Sequence, residues 1–547
     1  MAEKDKSVGL TRRNFIKGAA AGLGAAALVK LSIAEARPIR LDQVSKWDDQ
    51  ADVVLLGSGT GLIAALRAID KGATVLVVEK AATAGGTTAV SGGGIWAPNN
   101  DVMKAAGLQD SRDEALQYLR QATFGQSEEP LLETYVDTVN QMLPYVTLAT
   151  GIQWRLLGGT GLQFADYYGS FAGSKPRGRT VDPTPASGLQ YGALLMSAIQ
   201  KTASNWGARF RFKTAAKKLI INQPAGASVP EVVGVVADVG GQLINIKANR
   251  AVIVATGGFD WNPPMCAHFL RGPLYYPSAA SGNTGDGQIM GAAIGAELRN
   301  MNSLWGWPVY YNTAAHYSIS ALALELGKPG TIVVNKHGER FMNEAGAYPS
   351  VTRSFYYYDS GTFEYRNVPG FLIVDSEYQK RYTLAFNPPG APVPSWIARG
   401  DTLAALAAEL NIDAAALQAT VATFNQNAAQ GIDPQFHRGE LPFDLQTGGD
   451  PSRKDLANPC LAPVATPPFY GVPIWPGALG TCGGLHINTN AQVLTPFGDV
   501  IPRLYATGNA SGSVMGAGYP GGGATVGAGL TFGYIAGAHG AALQPWT

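Results

Sequence analysis

The sequence predicts an α/β fold in which one doubly wound, parallel-sheet unit is interrupted by an inserted α+β unit. Three observations carry that expectation. The chain of 547 residues is too long for one ordinary core. Asp52 to Glu79 reads, in order, as strand, glycine turn, helix, strand and acid. A further strand-then-glycine segment lies near the C-terminus, at Leu504 to Asn509, so both ends of the chain are expected to build the same unit.

Composition narrows the function classes. Lys and Arg total 41 against 40 Asp and Glu, which gives no electrostatic basis for binding nucleic acid. Thr11-Arg12-Arg13-Asn14-Phe15-Ile16-Lys17 resembles a twin-arginine export signal, and a short Ala/Gly/Leu run follows. Ala34-Glu35-Ala36 offers a small-x-small cleavage site. Residues 1–36 are therefore expected to be a leader, the mature chain to start near Arg37, and the protein to be exported to the periplasm. The leader's apolar run is too short to span a bilayer, and no transmembrane span is expected elsewhere. Cys266, Cys460 and Cys482 show no metal-ligand, C-x-x-C or haem spacing, and read as small buried hydrophobes.

Each element of the cofactor reading follows in chain order. Asp52 to Leu56 is continuous in apolar residues, as buried parallel strands are. Gly57-Ser58-Gly59-Thr60-Gly61 comes at once, then a helix from Leu62 to Ile69 and an apolar strand from Thr74 to Val78. Glycines let backbone close on a pyrophosphate at the helix N-terminus, and Glu79, followed by Lys80, is placed to accept from an adenosine ribose. The third glycine comes one position early, so the G-x-G-x-x-G pattern is broken. Gly85-Gly86-Thr87-Thr88-Ala89 and Ser91-Gly92-Gly93-Gly94 supply a second glycine loop. Gly257-Gly258 ends another apolar strand, Asp286 lies in Thr284-Gly285-Asp286-Gly287, and Gly508-Asn509 ends a late one. Ala524 and Thr525 follow the last glycine cluster. A distant C-terminal segment that completes the site points to FAD rather than NAD.

The same order sets the domains. A Rossmann-like FAD-binding domain is expected over 45–300 and 474–547, with an inserted α+β catalytic (cap) domain over 301–473. The insert is rich in aromatic residues, among them Trp305, Trp307, Tyr310 and Tyr311, and its segments Leu403–Leu410 and Ala414–Asn427 read as amphipathic helices. Some of the aromatics are expected to face the cleft between domains.

Taken with Asn335-Lys336-His337-Gly338-Glu339-Arg340-Phe341, these glycine segments resemble the superfamily of soluble fumarate reductases, urocanate reductases and 3-ketosteroid Δ1-dehydrogenases, over nearly all of the mature chain. The reductase branch needs cations for two carboxylates. Here Ala347, Gly306-Trp307-Pro308 and Gly518-Tyr519-Pro520 stand at those places, and a buried dicarboxylate without partners is costly. Tyr519-Pro520-Gly521-Gly522-Gly523 instead matches the ketosteroid branch, as does Phe341 to Tyr348. Phe164-Ala165-Asp166-Tyr167-Tyr168 also resembles it, with Phe436 to Glu440 and Ile95-Trp96 as further signatures.

The resemblance implies an FAD-dependent dehydrogenase that introduces a C=C bond beside a ring ketone, most simply at C1 of a 3-ketosteroid. Tyr348 would take the α-proton, Tyr167 would lower its pKa by hydrogen bonding, and Tyr519 O–H with Gly523 N–H would hold the enolate oxygen. Flavin N5 would take the β-hydride. The implied partners are a small hydrophobic cyclic ketone and an external electron acceptor, a quinone or separate carrier. A smaller oxo-ring substrate such as 4-oxocyclohexanecarboxylate is the nearest alternative and requires a cation, for which Arg353 and Arg366 are candidates. A 4-ene-forming ketosteroid dehydrogenase, a fumarate- or urocanate-reductase-like flavoprotein and a non-catalytic flavoprotein are further alternatives.

Overall fold

A computed structural model describes residues 35–157, 164–184, 191–310 and 322–546. The twin-arginine segment lies outside them. Among the described residues no helix is long and apolar enough to cross a membrane.

A nine-stranded sheet forms one half of the molecule. Its centre is Gln242–Val254, a strand of thirteen residues. Asp49–Leu56 runs parallel to it on one side and continues into Val75–Val78. The other side is shared. Glu231–Val239 pairs antiparallel with the first half of the central strand, and Val500–Ala506 pairs parallel with its end. Leu56, Val78, Val254 and Ala506 are therefore in register, and the loops after them leave the same edge. That is where doubly wound sheets bind ligands. The sheet reaches back to Ile39–Arg40, parallel to Thr214–Asn222, and Ala36 beside it is fully buried.

Three helices fix this edge. α1, Ile63–Asp70, follows the first glycine turn, and a short 3-10 turn at Thr60–Leu62 occupies the expected first helical residues. α2, Asp286–Ala292, starts directly after the glycine turn at Gly285. The C-terminal helix, Ala524–Ala542, carries glycines at 527, 529, 533, 537 and 540. Interior glycines cost a lone helix about 1 kcal/mol each. Here they let backbone meet backbone: a Cβ on Gly537 would lie 2.3 Å from the Ala64 carbonyl oxygen of α1.

The second half is a six-stranded sheet with Phe469–Ala478 at its centre. Thr331–Val334 and Gly370–Val374 are buried throughout because both faces are covered. Ile332, Val334, Phe371 and Ile373 meet the helices Leu403–Leu410 and Ala414–Ala429, while Val333, Leu372 and Val374 meet Trp307, Val351 and Phe355. Thr402 and Asp413 cap those helices, each accepting a backbone N–H. This sheet recruits Tyr276–Pro277 from upstream of residue 301, and Ile474 falls inside its central strand. Strand pairing across the expected boundaries has no local pattern to announce it.

Candidate active site

The cradle at the sheet edge is built by exclusion of side chains. Gly57 has φ +94°, and a Cβ there would sit 2.3 Å from the Ala255 carbonyl oxygen. Gly61 is as tight against the Ala255 side chain. Ser58 donates to Glu79 Oε2 at 2.6 Å, and Ala81 N–H to Glu79 Oε1 at 2.7 Å. The carboxylate is thereby fixed at the strand end with lone pairs to spare. Lys80 Nζ binds Thr284 Oγ1 at 2.7 Å and Asp286 Oδ2 at 2.8 Å, joining two segments 206 residues apart.

The second glycine loop docks on the first, with Gly85 N–H donating to the Ser58 carbonyl at 3.1 Å and Thr88 against Gly59. Thr87 Oγ1 accepts from Ala280 N and Asn283 Nδ2, and Ser91 Oγ donates to the Thr88 carbonyl. A Cβ on Gly86 or Gly92 would meet nothing within 4 Å, so these two border open space. Gly257 lies against Asn283 Oδ1. Gln288 ties the rest together and was not legible in the sequence, where only its place after Asp286-Gly287 marks it. Fully buried on α2, it donates to the carbonyls of Gly257, Gly483 and Asn509 at 3.1, 3.3 and 2.9 Å. A cleft lined by Trp305, Gly508, Asn509, Thr525 and Ala528 continues from there. Side-chain-free approach at the first turn, a fixed acid, and the N-terminus of the long C-terminal helix at Ala524 fit an extended, twice-anionic dinucleotide. In that fit Gly57, Ser58, Gly61, Glu79, Gly85 to Thr88 and Asn509 would hold it.

Beside this cleft the structure brings together the tyrosines singled out from three distant segments. Ring centroids lie 5.3 Å apart for Tyr167–Tyr348, 5.3 Å for Tyr167–Tyr519 and 5.6 Å for Tyr348–Tyr519. Phe443, Trp307 and Trp305 pack around them at 4.1, 5.2 and 6.2 Å. Tyr348 opens helix α3, Tyr348–Arg353, which rests on the second sheet through Val351. Tyr519 precedes Gly523, whose φ of +79° and close contact with the Gly94 carbonyl admit only glycine. The Gly523 and Thr525 backbone donors and the Thr525 hydroxyl converge on the Tyr519 oxygen.

The backbone holding Tyr519 is stitched to the Tyr167 segment. Pro520 O accepts from Tyr167 N at 3.0 Å and from Tyr118 OH at 2.6 Å, and Tyr168 OH accepts from Tyr519 N at 3.2 Å. Behind it, Arg179 pairs with Asp110 and Asp166, and Trp96 Nε1 donates to Asp166 at 2.8 Å. The Tyr348 segment has its own support. Arg340 bridges Glu344 and Asp433, and Arg438 reaches Glu344 and the carbonyls of Gly327, Lys328 and Thr331. Tyr118 and Arg179 carry no local signal of these roles; Arg438 falls in the Phe436 to Glu440 signature, which does not announce its contacts.

The hydrogen bond from Tyr167 acts on the Tyr348 pKa in the expected direction but is outweighed by burial, which raises it. Burial likewise pushes Tyr519 up to about 12 and Tyr167 well above its ordinary value. No positive charge contributes to the balance at Tyr348, so a phenolate is disfavoured in the resting site. The two candidate cations are engaged elsewhere. Arg366 pairs with Glu339 and Asp359, and Arg353 donates to the Ala517 carbonyl.

Residues 52–526 match the FAD binding domain family. The chain is 35% identical to a 3-oxosteroid 1-dehydrogenase of Mycobacterium tuberculosis, over 89% of this chain and 98% of that protein. It is 34% identical to a 4-oxocyclohexanecarboxylate 2-dehydrogenase of Sinomonas cyclohexanicum, over 89% and 92%. Among solved structures, it resembles the 3-ketosteroid Δ1-dehydrogenase of Sterolibacterium denitrificans in complex with 1,4-androstadiene-3,17-dione. The TM-score is 0.83 at 32% identity, covering 90% of this chain and all of that one.

Proposed function

The chain belongs to the 3-ketosteroid Δ1-dehydrogenase family of FAD-binding oxidoreductases, and on that premise we propose that it removes two hydrogens from C1 and C2 of a 3-ketosteroid. The observation that carries the reading is the triangle of Tyr167, Tyr348 and Tyr519 beside the FAD cradle. Bound FAD supplies the acceptor for the hydride leaving C1. The chain's own residues handle the rest. Tyr519 OH and Gly523 N–H donate to the 3-keto oxygen, where negative charge grows as C2 loses its proton. Tyr348 takes that proton, and the electron pair left behind closes the C1=C2 bond as the hydride departs. Phe443, Trp305 and Trp307 keep water away.

A neutral ring system also suits the site better than a ring acid. The relative acting on 4-oxocyclohexanecarboxylate is nearly as similar, but Arg366 is paired with carboxylates and Arg353 is held against the Ala517 carbonyl and the Phe124 ring. The test is anaerobic stopped-flow flavin reduction with a 4-ene-3-ketosteroid, 4-oxocyclohexanecarboxylate and fumarate. Steroid should bleach the flavin and the two acids should not; preference for either acid overturns the reading. Tyr348→Phe should keep steroid binding while reduction slows about 10²–10⁴-fold, the usual span for a general base. Because burial raises the Tyr348 pKa, the reduction rate should climb as pH rises, and Tyr167→Phe should move that climb to higher pH.

We further propose that a quinone or separate carrier reoxidises the flavin, and that the chain is exported by the twin-arginine route. Replacing Arg12 and Arg13 together by Lys should leave unprocessed protein in the cytoplasm. Normal processing of that double variant would remove the export reading.

A further inference from the structure

Proton removal and hydride removal require Tyr348 and the ketone oxygen to be held at one separation, yet the two groups belong to different halves of the molecule. Tyr348 begins α3 on the second sheet, whereas Tyr519 and Gly523 precede the C-terminal helix that packs on α1. Something must set the distance across the seam.

Arg353 ends α3, on the same six residues as Tyr348. It is half-buried, and among the described residues no carboxylate pairs with it. Its Nη2 donates at 2.5 Å to the carbonyl of Ala517, two residues before Tyr519. The guanidinium lies over Phe124 with Cζ 5.4 Å from the ring centroid. Phe124 belongs to the first half, at the turn after the helix Arg112–Ala122, where Gly518 packs on the Ala122 carbonyl too closely to admit a Cβ. One side chain from the Tyr348 helix thus grips both the strand of backbone carrying Tyr519 and the turn supporting it. Tyr168 reinforces the joint, accepting from Tyr519 N–H on one side and meeting Ser350 of α3 on the other.

We propose that Arg353 is a positioning residue that fixes the separation of Tyr348 from the ketone-binding pair Tyr519 and Gly523. The inference rests on the proposed roles of those residues. Ketone binding uses groups of the first half alone, so loss of the strut leaves binding nearly intact and impairs the proton transfer. A misplacement of about 1 Å at a reacting centre costs on the order of 100-fold in rate.

The test compares holoenzyme of wild type, Arg353→Ala, Arg353→Lys and Phe124→Leu by anaerobic flavin reduction with a 4-ene-3-ketosteroid, alongside flavin content. Arg353→Ala should reduce kcat roughly 10–100-fold with KM within about threefold and FAD retained, and low-millimolar guanidinium should restore part of the rate. Arg353→Lys should fall between, since an ammonium keeps the bond but not the stacked fork. Wild-type kcat in Arg353→Ala, or parallel loss of KM and flavin without rescue, overturns the proposal. Should Arg353→Ala fail to fold, Phe124→Leu and Arg353→Lys decide, a normal kcat in both being the adverse result. If Tyr348→Phe retains full activity the underlying assignment fails; if it is inactive while Arg353→Ala is normal, only the strut fails.

Discussion

Behind Tyr167 one buried arginine faces two carboxylates, whereas behind Tyr348 two buried arginines face two. Arg179 must satisfy both Asp110 and Asp166, and burial there outweighs the arginine's attraction, so the Asp166 pKa is raised. Around Glu344 the charges balance. Burial would raise Asp433 as well, but hydrogen bonds and charge from Arg340 outweigh it and hold the group below its ordinary value. The difference teaches that burial alone does not set a carboxyl's state; the hydrogen bonds and cations that face it weigh against burial. Both clusters hold a short irregular segment that carries a tyrosine of the triangle.

The comparison breaks most decisively at its arginines. Arg179→Met leaves two buried carboxylates uncompensated and should cost about 3–5 kcal/mol of unfolding free energy, measured in denaturant. Arg438→Met leaves Arg340 still bridging Glu344 and Asp433, so its cost should fall at or below the lower end of that range, about 3 kcal/mol. A larger loss for Arg438→Met than for Arg179→Met would overturn the charge-count argument.

Asp260 sharpens the comparison because no arginine among the described residues pairs with it. It is buried beside Asn283, Oδ2 has no hydrogen-bond partner among the described residues, and burial raises its pKa from 3.8 to about 7. A folded-state pKa above the unfolded one means the native protein holds the proton longer. Its contribution to stability is present below about pH 4 and is lost as pH rises to about 7. Asp260→Asn should remove that downward slope. Asp433 has the opposite sign, giving stability above its unfolded pKa of 3.8 that is lost as pH falls through the lowered folded value. Unfolding curves of wild type and Asp260→Asn between pH 4 and about 8 test the first; an unchanged difference across that range sinks it. At the small end, Thr402→Ala removes only a peripheral helix cap and should cost about 1 kcal/mol, with flavin reduction untouched.

What could be read from the sequence divides along the same lines. The cradle was legible because its parts are local: Gly57, Gly61, Gly85 and Gly257 announce backbone that must approach something closely, and the structure places each in such a contact. Tyr167, Tyr348 and Tyr519 were legible only through the resemblance of their segments to a family. Gln288, Tyr118 and Arg179 were not legible, and Arg353 and Arg438 were marked only as a candidate cation and within a signature segment, not for the contacts they make. Each acts on groups far away in the chain, and an arginine bound for a buried carboxylate looks like any other.

The sequence by itself determined the α/β class, the cofactor and the reaction family, since periodicity, glycine spacing and segment identity are properties of short stretches. Only the tertiary structure decided how Tyr348 is poised. A tyrosine's pKa depends on burial and on which charges surround it, and here burial wins because no cation adds to the hydrogen bond from Tyr167. The tertiary structure alone also decided that one helix, α3, carries both Tyr348 and the side chain that grips the Tyr519 segment. That contact spans 164 residues, and no local pattern encodes it.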